Sequence, residues 1–323
     1  MPASLRFVGL LLVLAVLAGA FALESSWAAD PLRVVEEEAD AVVLCGDRPV
    51  ARYRHVPSPQ KPFLIELYSP AGVQILRDAP ADHLHHHALM FAVGVDGVDF
   101  WAEWEGTGSQ ESRRFAAAVR EDEERPRAVL RQRLSWRGPE EGPELARESR
   151  RIVVHGGDLP ATLLTWHSEL AVPPGDAAGG EPRQMVLFGD HYFGLGMRFV
   201  AAMDDCGRFF HPGDDPGEVV RGSERLTAAR WMAYAATADG QPVTVALFDH
   251  PENPRHPARM FTMCPFAYLA ATLNLHEEPL TVEAGEPLRL RYGVALWDGH
   301  PEADDVEALY RHWLASRNAP PQP

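Results

Sequence analysis

Residues 128–172, AVLRQRLSWRGPEEGPELARESRRIVVHGGDLPATLLTWHSELAV, decide the fold class. Ala128, Leu130, Leu134 and Trp136 fall on a two-residue period, which is the spacing of a strand with one buried face and not that of a helix. The 138–143 stretch, with two glycines and two prolines, breaks the run. Ile152, Val153 and Val154 resume it, Gly156-Gly157-Asp158 breaks it again, and 163–172 carries a third apolar run. Strand, turn, strand, turn, strand is an antiparallel meander. The residues alternating with the apolar ones on the first two strands are largely Arg and Glu, so one face of this sheet meets water.

The same rhythm extends outward in both directions. Runs at 34–37, 41–44, 63–68, 89–95 and 115–119 read as strands before the meander, and 185–188, 244–248 and 288–296 after it. Prolines (28) and glycines (26) are spread along the whole chain and punctuate these runs. The 173–182 stretch, PPGDAAGGEP, is a flexible loop, read as a connection within one unit because strand-like runs resume with the same character after it. One long helix is expected, at 304–316, where Val306, Leu309, Tyr310, Trp313 and Leu314 fall on a helical face and Asp304 and Asp305 sit near its positive end. The expected fold is all-β, one large antiparallel sandwich over 29–323 carrying that helix.

Ahead of it, Arg6 precedes the apolar run 7–23, with Ser26 and Ala28 at the small-residue positions of a cleavage site. This is the pattern of a secretory signal over 1–28, with an uncleaved anchor as the alternative. Export predicts an oxidising compartment, yet Cys45, Cys206 and Cys264 are too few and odd in number for a disulfide scaffold and are expected to be small buried residues. Basic residues number 30 against 46 acidic ones, a net charge of −16. Such a chain repels phosphate backbones and anionic lipid, and no basic stripe is visible along the sequence, so neither nucleic acid nor a membrane beyond the signal is expected as a partner. Lys61 is the one lysine among the basic residues, a bias attributed to genomic base composition.

Four clusters carry the chemistry. In Asp82-His83-Leu84-His85-His86-His87, an extended backbone would project His83, His85 and His87 to one side and His86 to the other. Histidines two apart on a strand can share a divalent cation such as zinc, with a further ligand from His191, His250, His256 or Glu103 and with Asp82 accepting from the far side of a ligating imidazole. The alternative is recognition of polar ligands by neutral imidazoles without metal. In the 97–104 stretch, GVDFWAEW, Trp101 and Trp104 beside Asp99 and Glu103 suit a sugar site, in which hydroxyls meet carboxylates and C–H faces meet rings; a packed core strand is the alternative. In the 189–198 stretch, GDHYFGLGMR, the glycines permit close backbone approach and Arg198 can clamp a carboxylate. The 248–257 stretch, FDHPENPRHP, is rigid with proline and can preorganise His250, Asn253, Arg255 and His256, although a structural turn would look similar.

Taken in order, Asp82 to Ala88, Gly97 to Trp101, Gly194 to Arg198, Trp231 to Tyr234 and Asp249 to Pro257 resemble the motifs of the bacterial PmoA-like family. The first motif departs from that pattern at Leu84, His87 and Ala88. The resemblance implies a sandwich of the galactose-mutarotase type, a place in carbohydrate breakdown beside Gfo/Idh/MocA-type sugar oxidoreductases, and Trp231 as a further substrate contact. The expected function is a secreted carbohydrate-active enzyme, a lyase, hydrolase or epimerase acting on a sugar, glycoside or keto-sugar. Its proton-transfer and electrostatic groups would be His83, His86, His250, Arg198 and Glu103, with Trp101, His191, Asn253, Arg255 and His256 binding substrate. A non-catalytic carbohydrate-binding sandwich and a metal-dependent oxidoreductase are the alternatives. The shared-site reading requires the 82–87 cluster, Arg198 and the 250–256 loop to converge.

Overall fold

The computed structural model describes residues 30–121, 125–175, 183–205 and 207–316. The signal expected at 1–28, residues 176–182 of the 173–182 loop and Cys206 lie outside them. Among the described residues the fold is all-β, with three antiparallel sheets and one α-helix. The meander read from the sequence is there as strands Pro126–Arg137, Glu144–His155 and Thr162–Ala171. Each strand runs longer than its apolar residues alone suggest, because the intervening Arg and Glu positions continue the ladder on the outer face.

These strands lie in an eight-stranded sheet whose order runs Arg208–Phe210, Trp231–Ala238, Gln241–Asp249, Leu288–Asp298, Thr162–Ala171, Glu144–His155, Pro126–Arg137, Ser109–Glu121. A ten-stranded sheet covers one of its faces, with the order Leu32–Glu36, Asp40–Cys45, Arg48–Arg54, Phe63–Leu67, Leu89–Ala92, Gly194–Arg198, Tyr268–Thr272, Arg259–Met263, Glu224–Ala228, Glu218–Arg221. Aromatic side chains of the two sheets interleave, Tyr53 with Trp166 at 6.3 Å and Phe91 with Trp136 at 6.0 Å between ring centres. This is the sandwich core. A small four-stranded sheet, Leu280–Glu283, Gln184–Phe188, Gly94–Val95 and Val98–Asp99, flanks it.

A buried polar network crosses that core. Arg150 donates through Nε and Nη2 to the two carboxylate oxygens of Glu148, both at 2.8 Å, and Glu148 also accepts from Trp136 and Ser168. Arg150 further reaches Gln110 and the Pro62 carbonyl, each at 3.0 Å. Every charge in this pair is therefore hydrogen-bonded, the condition under which a buried ion pair is tolerated. The network fixes Pro62, and with it Lys61 and Phe63, at the edge of the candidate site.

The helix Ala303–Ala315 packs on the outer face of the eight-stranded sheet. Glu302 and Asp305 form a capping box at its start, and Val306, Leu309, Tyr310 and Trp313 are its buried face, as the spacing predicts. Beyond the helix the same outer face is dominated by arginine. Registers place Arg114 opposite Arg133, Arg120 opposite Arg127, and Arg131 opposite Arg151. The expectation that the protein has no basic stripe is corrected here. Arginines two apart on several strands look dispersed along the chain, yet pairing brings them onto one surface.

Candidate functional site

The 82–87 segment is not extended. Pro80 and Asp82 are turn formers, and the backbone closes two turns, His83 N–H to the Pro80 carbonyl at 2.9 Å and His86 N–H to the His83 carbonyl at 3.0 Å. Ala79 N–H returns to the His86 carbonyl at 3.0 Å, and the base of the excursion is tied to Arg198, whose N–H reaches the Ala88 carbonyl at 2.8 Å. Strict alternation of the histidines therefore fails. His83, His85 and His86 gather, with ring centres 4.6 Å (His83 to His86) and 4.7 Å (His85 to His86) apart, while His87 turns inward and stacks on Phe63.

His87 is held by carboxylates on both sides, Asp78 on Nδ1 at 2.6 Å and Glu103 on Nε2 at 2.8 Å, and Lys61 Nζ donates to the other oxygen of Glu103 at 2.6 Å. Burial opposes protonation of His87, but the two carboxylates outweigh it and hold its pKa above the ordinary histidine value. Burial likewise opposes the Glu103 charge, and His87 and Lys61 outweigh that too, leaving Glu103 below the usual carboxylate range. Among the described residues no group of three or more His, Cys, Asp or Glu side chains is arranged to hold a metal ion. The expected set His83, His85 and His87 is not assembled, because both nitrogens of His87 are committed to carboxylates. Glu103 is committed in the same way, so its expected acid–base role gives way to anchoring.

Around His86 lies a different kind of set. His86 Nδ1, Trp101 Nε1, Tyr268 Oη and Arg198 Nε and Nη1 are all buried without a hydrogen-bond partner among the described residues. The rings of His86, Trp101 and Tyr268 are mutual neighbours, with centres 5.0–6.3 Å apart. Arg198 lies with its guanidinium 4.0 Å from the centre of Phe266, which also abuts His83 and His86. Each element is placed by local sequence. Asp99 accepts from the N–H groups of Trp101 and Ala102, turning the chain so that Trp101 points inward. Gly196 leaves room for the Tyr268 hydroxyl, which a methyl group there would strike. Arg198 and Tyr268 are directly paired across neighbouring strands.

Burial, reinforced by the neighbouring histidines, pushes His86 down to about 2, so its imidazole is neutral, and burial raises Tyr268 well above the ordinary phenol value, so its hydroxyl keeps its proton. Asp82 bridges His83 Nδ1 and Arg198 Nη2, both at 3.1 Å. Burial works against the Asp82 charge, but those two partners hold its carboxyl below the usual range. Towards solvent, His83 is half-buried, Trp104 is 62% exposed and Leu84 66% exposed. The result is a polar floor below a histidine and tryptophan rim.

Other expected site residues lie elsewhere. His191 is linked to the floor through Tyr192, which packs on Trp101 at 5.5 Å, but Asp190 and Glu224 occupy both of its nitrogens. Trp231 is fully buried beneath the C-terminal helix and donates to Glu307 at 2.8 Å. The 249–257 loop is bonded to its own surroundings. His250 meets Arg291 at 3.0 Å and the edge of Trp313, Asn253 and His256 bind Asp249, and Arg255 donates to the carbonyls of Leu273, Asn274, Glu278 and Pro279. Among the described residues no hydrogen bond, ion pair or ring contact joins this loop to the 82–87 turns. The expected three-way convergence therefore holds for the turns and Arg198 and fails for the loop, whose polar groups are consumed in fixing it against the helix and the 273–279 segment. Sequence reasoning missed Lys61, Phe266 and Tyr268. For Lys61 a signal existed, since a lone lysine in an arginine-using chain marks a place where arginine does not serve.

A family model described as a family of unknown function (DUF6807) matches residues 40–311. The chain belongs to this family. Membership in DUF6807 overturns the PmoA-like resemblance, whose motifs this chain carries only as short separate pieces, and with it the roles that rested on the resemblance alone. The DUF6807 match spans the sandwich from Asp40 in its second strand to Arg311 in the helix, and so includes the whole His86 floor and rim. No curated protein matches the chain.

Proposed function

We propose that the chain is an exported carbohydrate-directed enzyme that removes a proton beside a carbonyl, in the manner of a lyase or epimerase, at the site built on His83, His86, Trp101, Arg198 and Tyr268. The observation carrying this reading is the group of five buried polar atoms without partners around His86. Each such atom costs about 1–3 kcal/mol if nothing bonds to it, and native proteins retain few of them without a functional reason. Most of the set are donors, which suits an oxygen-rich ligand and, in particular, an oxygen on which negative charge develops.

Asp82 favours the His83 tautomer with hydrogen on Nδ1, leaving Nε2 to accept a proton at the rim. Electrons from the broken C–H bond then move to the carbonyl oxygen, which Arg198, Tyr268 and Trp101 can hold as an enolate. Collapse with loss of a neighbouring oxygen, which leaves carrying the proton that His83 took up, gives elimination, and reprotonation of the carbon on its other face, with the His83 proton released to solvent, gives epimerisation. Nearby charges are balanced, with Lys61, His87 and Arg198 against Asp78, Asp82 and Glu103, which favours a neutral sugar. A keto-sugar made by a partner oxidoreductase has the acidic C–H bond this chemistry requires.

The test is deuterium exchange from heavy water into a panel of keto-sugars, followed by magnetic resonance, with binding measured in parallel. Exchange by the parent protein is expected to fall by about 10²–10⁴-fold in His83→Ala, with sugar binding retained, while His86→Ala weakens both. A parent protein that binds sugars but never exchanges or converts one is instead a carbohydrate-binding sandwich.

A further inference from the structure

The arginine-rich outer face of the eight-stranded sheet is unrelated to the His86 site. Arg114, Arg120, Arg131 and Arg133 are exposed, and none of their side chains has a hydrogen bond or ion pair with a described residue. Arg127 and Arg151 stand between them in the cross-strand register, and the row through Arg131 and Arg151 continues to His167 and Arg291. Like charges directly opposite one another destabilise a sheet, so this is an unfavourable arrangement for a surface with no ligand. Among the described residues, Glu169 is the carboxylate in the outward register of these rows, and Arg289 engages it at 2.9 Å; in the next row Glu111 and Glu144 engage Arg113 and Arg147. The cost registers on Arg151, which burial and then Arg131, Arg291 and Arg127 push down to about 10. All this occurs in a chain with a net charge of −16.

The strands set the backbone positions of neighbouring arginines about 4.8 Å apart across the sheet and about 6.8 Å apart along it. A grid of planar forks on a flat surface suits regularly spaced carboxylates or sulfates, each bound in bidentate fashion. Nucleic acid fits less well. Among the described residues of the patch no Phe, Tyr or Trp is exposed for a base to stack on. The acidic remainder of the molecule also repels a stiff polyphosphate extending past the patch.

We propose that this face binds an anionic polysaccharide, with its acidic groups seated between the arginine rows. The experiment measures binding of the full chain to polygalacturonate (carboxylated), heparin (sulfated), dextran (neutral) and duplex DNA at low and moderate salt. Binding to one or both acidic polysaccharides is expected, weakening as salt rises, with none to dextran; the two acidic arms show which acid is preferred. The double variant R131E/R133E is expected to bind about tenfold more weakly or worse, whereas R33E/R48E, which makes the same charge change elsewhere, leaves affinity unchanged. All four positions are at the surface, and circular dichroism checks the fold of each variant. The proposal is overturned if neither acidic polysaccharide binds at low salt, if the two double variants behave alike, or if DNA binds as tightly as the polysaccharides.

Discussion

Lys61, the one lysine among 30 basic residues, has a fully buried side chain and donates to Glu103 and to the Trp101 carbonyl at 2.6 and 3.0 Å. An ammonium is a compact point charge with three donors, whereas a guanidinium is a wide planar fork. The full enclosure of Lys61 and its two converging acceptors suit the compact head group, which gives a physical reason for lysine at this one position. Lys61→Arg therefore keeps the charge but overpacks the site, and is expected to cost about 1–3 kcal/mol of stability, read from the urea midpoint. If Lys61→Arg is as stable as the parent protein, the shape argument is wrong. The same comparison shows what a sequence conceals at this scale. The rarity of lysine was visible, but its burial against Glu103 depends on Arg150 holding Pro62 across the core, a contact between residues 88 positions apart.

At the scale of elements, the C-terminal helix is the clearest case in which periodicity was enough. Its apolar face reads directly from 306–313 because four buried positions recur at helical spacing on a segment without proline or glycine. Trp313 anchors it, donating to Thr165 at 2.9 Å and lying against Gly293, where an added methyl would come within 2.9 Å of the indole. Trp313→Ala is expected to cost about 3–5 kcal/mol and to loosen the His250 loop that rests on the indole edge; hydrogen exchange at 250–258 should rise with the loss of thermal stability. A variant with unchanged exchange in that loop would show that the helix does not support it. The 82–87 stretch is the opposite case, because two backbone turns replaced the alternation and only Pro80 and Asp82 hinted at them. Strands such as Tyr268–Thr272, sequence YLAAT, escaped notice because alanine has little strand preference of its own. Pairing on both sides within the ten-stranded sheet makes it a strand, and so the Tyr268 hydroxyl of the site could not be placed from local sequence.

Across the whole molecule, buried and half-buried histidines set the response to acid. Burial pushes His86 down to about 2, His155 to about 3, His250 to about 4 and His167 well below its ordinary value, with nearby arginines and histidines adding to the effect. These four are neutral in the folded protein, whereas in the unfolded chain each takes up a proton as pH falls below about 6.5. The unfolded state then binds more protons, so folding stability declines as pH drops from about 6.5 towards 4, by about 1.4 kcal/mol per pH unit for each histidine at full effect. His87 works in the other direction. Its pKa is raised, so its contribution is fully present below the unfolded value and is lost as pH rises through the folded one. Four groups against one make acid the destabilising direction, and the sandwich is expected to unfold cooperatively as pH falls from 6.5 to 4. Urea titrations at pH 7.5, 5.5 and 4.5 measure this slope. His155→Gln and His167→Gln, which remove two of the four proton acceptors from the unfolded chain, should flatten it, and a slope unchanged in both variants would mean that carboxylates rather than histidines govern the acid response.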